Sequence, residues 1–288
     1  MNKLGSVSIG STNPVRIMGI LNASPESFYK KSIKITKQNI KNTIKNMELD
    51  GADFIDVGGM STAPYLSTLV SEEQEAKRVL HTIKIITNHS NLPISVDTCR
   101  SYVAQRAFEE GAEILNDVTG LKFDSKIQNT IEKYHPSLIL CAYNHKQVLG
   151  NQINITKKLL KQSISLALCS KISSKRIVLD PAIGFFRKTG KGHFFTKIKS
   201  NWIDRDLLIL QNLKSIKQDY PILVSVSNKS FIGKILNKPN PADRLSGSLA
   251  AEVFSVIRGT DIIRTHNVKE TKKVVTIAQR LTRTNKSL

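Results

Sequence analysis

Little in this 288-residue chain suits cross-linking, membrane insertion or aromatic stacking. Its three cysteines, Cys99, Cys141 and Cys169, are odd in number and lack metal-ligand spacing. Neither a disulfide framework nor a zinc ribbon is expected, and the thiols read as reduced. No apolar run approaches the ~20 residues that a bilayer span needs. The opening stretch MNKLGSVSIG holds no apolar segment of the secretory kind. From these absences we expect a cytoplasmic protein with no membrane partner. Aromatic residues make up only 6% of the chain, and acidic residues number 23 against 43 lysines and arginines, a net charge of +20. Such a surplus can mark nucleic-acid binding. Here the lysines spread along the whole length, as at Lys30, Lys31, Lys37, Lys41, Lys45, Lys157 and Lys158, and form no stripe interleaved with aromatics. The expectation is a solvated basic surface that steers small anions, and no nucleic-acid partner.

What is present is a rhythm. Short apolar, β-branched runs recur at 16–22, 53–59, 93–98, 113–118, 137–142, 176–181, 221–227 and 261–266. Stretches with helical periodicity lie between them, among them 36–50, 71–89, 100–110, 242–258 and 268–280. Ser71 with Glu72 to Glu75 reads as a capping box, and Gly51, Gly111 and Gly259 stand where helices need a left-handed C-cap. Apolar strands alternating with helices predict a parallel sheet buried on both faces. Eight such units in one chain fit a closed (β/α)8 TIM barrel, with a doubly wound open sheet as the alternative. No linker divides the chain, so residues 1–288 are expected to form a single domain with 1–15 as an N-terminal extension. The stretch 187–201 resists assignment and is expected to be a loop with an irregular helix.

Nearly every predicted strand closes at its C-terminal edge with a polar residue, the edge where barrel enzymes carry their chemistry. In chain order these are Asn22, Asp56 with Thr62 beyond it, Asp97, Asn116 with Asp117, Asn144 with His145, Asp180, Ser227 with Lys229, and Arg264 with His266. Any one of them is most simply a loop start or helix cap. So many converging from separate strands would be costly to bury unless a polar ligand satisfied them. Asp97, Asn116 and Asp180 suit a flat heterocycle with ring N–H and amino groups. Arg264, His266 and Asn22 meet where the barrel closes, its usual anion corner. Asn22 also has the carbonyl oxygen that a hard cation such as Mg2+ takes beside a diphosphate. The segment 227–233, SNKSFIG, ends a strand and opens a helix, so its free N–H groups offer a carboxylate site; Ser230 is there either an N-cap or a substrate contact.

Taken together, these motifs resemble the dihydropteroate synthase family. MGILNASPESF (18–28) resembles that family's first signature and GADFIDVGGMSTAP (51–64) its second. SVDT, ILNDVTG, LDPAIGF, SNKSFIG and RTHNVKE follow in the family's order, and the likeness runs from about Arg16 to Arg280. The resemblance implies condensation of 6-hydroxymethyl-7,8-dihydropterin diphosphate with 4-aminobenzoate or a related aryl amine, with Mg2+ as cofactor and a homodimer as the assembly. It implies that Asp97, Asn116, Asp180 and Lys229 hold the pterin. Asn22, Arg264 and His266 would hold the diphosphate and its metal, and Thr62, Pro64, Phe185, Ser230 and Phe28 would surround the aryl amine.

The chain also departs from that pattern. Met60 and Ala63 replace the Glu and Arg of the second signature, Asn228 replaces an Arg, and Ala182 replaces a Gly. Tyr29-Lys30-Lys31 replaces an acid and glycines of the first loop. These forms resemble the archaeal branch, where the acceptor can be a ribosylated aminobenzene phosphate. Two rivals follow from the same resemblance. A pterin-dependent methyltransferase acting with a corrinoid protein shares the barrel and the Asp, Asn, Asp pocket, but SNKSFIG and RTH speak against it. A non-catalytic pterin-binding protein would explain the missing loop residues.

Overall fold

Each apolar run forms a strand, in most cases within a residue or two of its expected bounds. In the computed structural model, residues 1–10, 12–24, 36–65 and 69–284 are described. A hairpin comes first, β1 (Asn2–Leu4) with β2 (Val7–Ile9). Then follow β3 (Arg16–Asn22), β4 (Phe54–Gly58), β5 (Ile94–Asp97), β6 (Ile114–Asp117), β7 (Ser137–Cys141) and β8 (Ile177–Asp180). A short parallel pair, β9 (Phe186–Arg187) with β10 (Thr196–Lys197), precedes the last two strands, β11 (Leu223–Val224) and β12 (Ile262–Thr265). Eight of these form one parallel sheet in the order β11-β12-β3-β4-β5-β6-β7-β8. A bridge between Leu179 and Ile222 joins its two ends, so the barrel closes. The closed barrel, not the open sheet, is the architecture.

Helices cover the outside: α1 (Lys37–Leu49), α2 (Glu72–Thr87), α3 (Ser101–Glu109), α4 (Ile127–Tyr134), α5 (Gln152–Cys169), α6 (Trp202–Gln211), α7 (Leu213–Lys217), α8 (Ser230–Ile235), α9 (Leu245–Ile257) and α10 (Val268–Thr284). Ser71 is the N-cap of α2, its hydroxyl accepting from Gln74 N at 3.2 Å. Glu75 does not serve the cap; it is buried and paired with Arg100 at 2.8 Å. Gly51, Gly111 and Gly259 take φ of +89°, +105° and +93°, the left-handed region that a glycine enters without a Cβ clash. The helix expected over 242–258 begins instead as a 3-10 turn, Pro241–Arg244, capped by Asn240. The stretch 187–201 holds no helix: β10 pairs with β9, and Asn201 caps α6.

Two apolar layers result. The larger lies between the barrel and its helices. The smaller fills the barrel floor: Met18, Phe54, Ile114, Ile139, Val178, Leu223 and Ile262 point inward, with Leu4 and Ile9 of the hairpin packed against them. The hairpin thus stoppers the N-terminal end. Side chains in a strand return to the same face every second residue. Two residues on from the floor stand Asp56, Asn116, Asp180, Ser225 and Arg264, so the inward face turns from apolar to polar as the strands rise to their C-terminal edge.

Candidate active site

Above that floor opens a cavity of about 590 Å3. Of the residues anticipated for the site, Asn22, Thr62, Pro64, Asp97, Phe185, Lys229, Ser230, Arg264 and His266 line it. Asn116 and Asp180, at the ends of β6 and β8, are not among the lining residues. Asn116 is 7% exposed and donates its Nδ2 to Asp56 Oδ2 at 3.2 Å. Asp180 accepts from Ala182 N at 2.7 Å and lies within electrostatic reach of Lys229 and Arg264. Phe28, with Tyr29, Lys30 and Lys31 of the first loop, falls outside the described residues.

Arg264 is the hub. Its Nε donates to Asp56 Oδ2 at 2.6 Å and its Nη2 to Asp97 Oδ2 at 2.7 Å. The resemblance assigns this arginine to the diphosphate; here its Nε and Nη2 bind the carboxylates of β4 and β5 while the side chain also lines the cavity. Asp56 is fully buried, and its Oδ1 has no hydrogen-bond partner. Asp97, which does line the cavity, offers the acceptor that fits a ring N–H or amino group. Burial pushes the Asp97 carboxyl above its ordinary pKa; Arg264 pulls the other way and Asp56 adds to the rise. Burial also pushes Asp180 upward, against the pull of its Ala182 N–H bond.

Lys229 stands over the Phe185 ring, its Nζ 4.3 Å from the centroid. Desolvation lowers its ammonium to about 8, with Asp180 opposing. The Nδ1 of His266 lies 3.1 Å from Ser227 Oγ. Its desolvated surroundings, then Arg264 and Lys229, lower the imidazole to about 4. The imidazole is therefore neutral at neutral pH. Asn228 takes φ of +57°, a left-handed conformation that asparagine tolerates well. Ala182 takes +61°, consistent with a glycine in the related signature.

Sequence reasoning gave Asp56 no role, although its place two residues beyond an inward apolar residue was a readable signal. It missed Arg205 and Asp206 of α6 as well. Arg205 is fully buried and donates to the carbonyls of Pro181 and Ala182 at 2.8 and 3.0 Å. Asp206 accepts from Gly184 N at 3.0 Å. Together they pin the turn that carries Phe185. Arg187, also missed, lines the cavity and donates to Ser230 Oγ at 2.6 Å. The six-residue α8 is too short for the helix-end field expected at Ser230; the positive charge at that spot comes from Arg187.

A closed βα barrel with acids, amides and cations gathered at its C-terminal rim defines a ligand-processing barrel enzyme that grips a polar heterocycle next to an anion. The family model described as pterin binding enzyme matches residues 18–266, and the chain belongs to this family. It is 34% identical to the dihydropteroate synthase of Clostridium beijerinckii, over 94% of this chain and 96% of the relative. A dihydropteroate synthase structure from Clostridium difficile, determined in the presence of pteroic acid, superposes with a TM-score of 0.84 at 31% identity, covering 98% of this chain and all of that one. That from Coxiella burnetii, in complex with pteroic acid, gives 0.81 at 32% identity, covering 94% of each.

Proposed function

We propose that this chain condenses 6-hydroxymethyl-7,8-dihydropterin diphosphate with 4-aminobenzoate, releasing diphosphate and 7,8-dihydropteroate, as a step of folate synthesis. The observation that carries this reading is the pair of strand-end carboxylates bridged by Arg264, Asp56 fully buried and Asp97 at the cavity wall, where Asp97 offers an acceptor to the N–H edge of a pterin. Asn116 and Asp180 back that pair, and Lys229 offers a cation at the opposite edge. The methylene carbon–oxygen bond breaks toward diphosphate, and the amine nitrogen lone pair forms the new carbon–nitrogen bond. The amine then loses its proton to solvent. An aryl amine needs no strong base for this. Arg264, His266 and Asn22 hold the diphosphate, while Phe185, Pro64, Thr62 and Ser230 flank the aryl ring, with Phe28 assigned to the same group. Catalysis here is positioning and charge stabilisation.

Among the described residues no three acidic, histidine or cysteine side chains converge as a metal cage. Asn22 at the end of β3 offers one neutral oxygen and would hold a Mg2+ that accompanies the diphosphate. Such an ion would offset charge on the leaving group. No helix of the described residues is long and apolar enough to cross a membrane. A single domain over 1–288, acting as a homodimer in the cytoplasm, completes the proposal; light scattering and cell fractionation check the last two. The main test is diphosphate release from the pterin diphosphate with Mg2+ and 4-aminobenzoate. Amine-dependent release is expected. No release with any aryl amine, together with methyl transfer to a corrinoid protein, would overturn the reading.

A further inference from the structure

Two buried arginines share one buried aspartate at the cavity wall formed after β8. Asp206 is fully buried and already holds Arg205 at 3.1 Å and Gly184 N at 3.0 Å. Arg187 Nη1 lies 3.9 Å from Asp206, beyond hydrogen-bond reach. That Nη1 is buried with no hydrogen-bond partner, although the whole side chain is only 8% exposed. The guanidinium is fixed in place: it stacks on Trp202, 3.7 Å from the ring centroid, and its Nη2 donates to Ser230 Oγ at 2.6 Å. Two cations against one anion leave a positive charge uncompensated in a desolvated wall, which is costly without a counter-ion. Among the described residues, the neighbouring groups do not supply one. Asp180 faces Lys229, and the Tyr65 hydroxyl, pushed up to about 12 by burial, stays neutral. A ligand anion in the cavity that Arg187 lines would supply it.

The position selects which anion. His266 follows β12 and Asn22 ends β3, whereas Arg187 follows β8 and Ser230 follows β11, next to Phe185 and Pro64. Ser230 Oγ accepts from Arg187, so its own proton is free to donate to a second acceptor. The segment that carries Arg187 is tied to the loop after β4: Lys191 N and Gly192 N both donate to Pro64 O, at 2.8 and 2.9 Å. At the two nearby positions where the related signatures carry arginine, this chain has Ala63 and Asn228.

We propose that Arg187 is a specificity-determining residue that, with Ser230, receives the carboxylate of the aryl amine. This rests on the condensation proposed above. Steady-state rates with 4-aminobenzoate and with its neutral isostere 4-aminobenzamide test it in the unmodified protein, Arg187→Met and Arg187→Lys. Charge-assisted hydrogen bonds predict that Arg187→Met raises KM for 4-aminobenzoate about ten- to a hundredfold, with kcat far less affected. KM for 4-aminobenzamide should stay within about threefold, and Arg187→Lys should restore part of the loss. Calorimetry of 7,8-dihydropteroate against its carboxamide needs no turnover and reads the same preference. The unmodified protein should favour the carboxylate, and Arg187→Met should erase that preference. Equal losses for acid and amide in both assays, or an unchanged carboxylate preference in Arg187→Met, would overturn the assignment. If no amine supports turnover, the condensation reading fails, and calorimetry still decides the role of Arg187.

Discussion

Arg264→Met probes whether one cation holds the strand-end carboxylates together. The guanidinium, 15% exposed, lies 2.6 Å from Asp56, which is fully buried, and 2.7 Å from Asp97, 15% exposed. Methionine keeps much of the side-chain volume and removes only the charge and its donors. Two charge-assisted contacts contribute about 1.5–3 kcal/mol each, and stripping one partner from a buried ion pair costs about 3–5 kcal/mol. The pair can relieve part of this by taking up a proton, because burial already pushes Asp97 upward against the pull of Arg264. A loss of roughly 3 kcal/mol at pH 8 is therefore expected, or about 6–12 °C in Tm at ~2–4 °C per kcal/mol. The sign with pH follows from linkage. Without Arg264 the Asp97 carboxyl pKa rises further in the folded state only, so the folded variant binds more protons than the unfolded chain. Its stability then falls as pH climbs above the ordinary carboxylate pKa of about 4. The deficit against the unmodified protein should be largest at pH 8 and smaller at pH 5. Urea unfolding at both pH values measures it. Equal deficits at the two pH values, or a loss below about 1 kcal/mol at pH 8, would refute the counter-charge role.

The same geometry predicts other outcomes. Arg205→Met should cost about 3 kcal/mol or more in urea unfolding, since it leaves Asp206 and the carbonyls of Pro181 and Ala182 without their buried donor; a loss under about 1 kcal/mol would count against the pinning role. Asp97→Ala should abolish measurable pterin binding in calorimetry while the protein still unfolds cooperatively, and unchanged affinity would remove Asp97 from the pocket. Pterin affinity should decline as pH rises past about 8, where Lys229 gives up its proton, and Lys229→Met should flatten that decline. His266→Ala should weaken the diphosphate-bearing pterin more than the free hydroxymethyl pterin, and equal losses for both would return His266 to a packing role.

Much of the barrel was legible because its strands carry a period the eye can follow. The run 16–22 coincides with β3, and the polar residues Asn22, Asp97 and Arg264 at strand ends line the cavity. The run 221–227 shrank to β11, two residues long, because Asn228 turns left-handed and Lys229 N bonds back to Val226 O, which lifts the chain off the ladder. The hairpin of β1 and β2 went unread, since three-residue strands offer too little alternation to register. Arg187 and Arg205 were illegible for a different reason. Their functional sense lies in contacts across 43 and 24 residues, to Ser230 and Pro181, and no local pattern in 187–211 announces them.

This last point bears on the substituted signatures. Reading Ala63 and Asn228 as lost arginines suggests a site short of positive charge. Yet an anion is held by a cation's position and desolvation, not by the loop that delivers it. Arg187 comes to the cavity wall from a different strand, kept rigid by Trp202 below it and by the pair of backbone bonds from Lys191 and Gly192 to Pro64. A cation on a loop must be ordered each time substrate binds, whereas one stacked and bonded beforehand has already met that entropic cost on folding. The site therefore exchanges a recruited charge for a standing one. The standing charge has its own cost, the uncompensated burial of Arg187, and that cost is relieved only when an acid occupies the place beside Ser230.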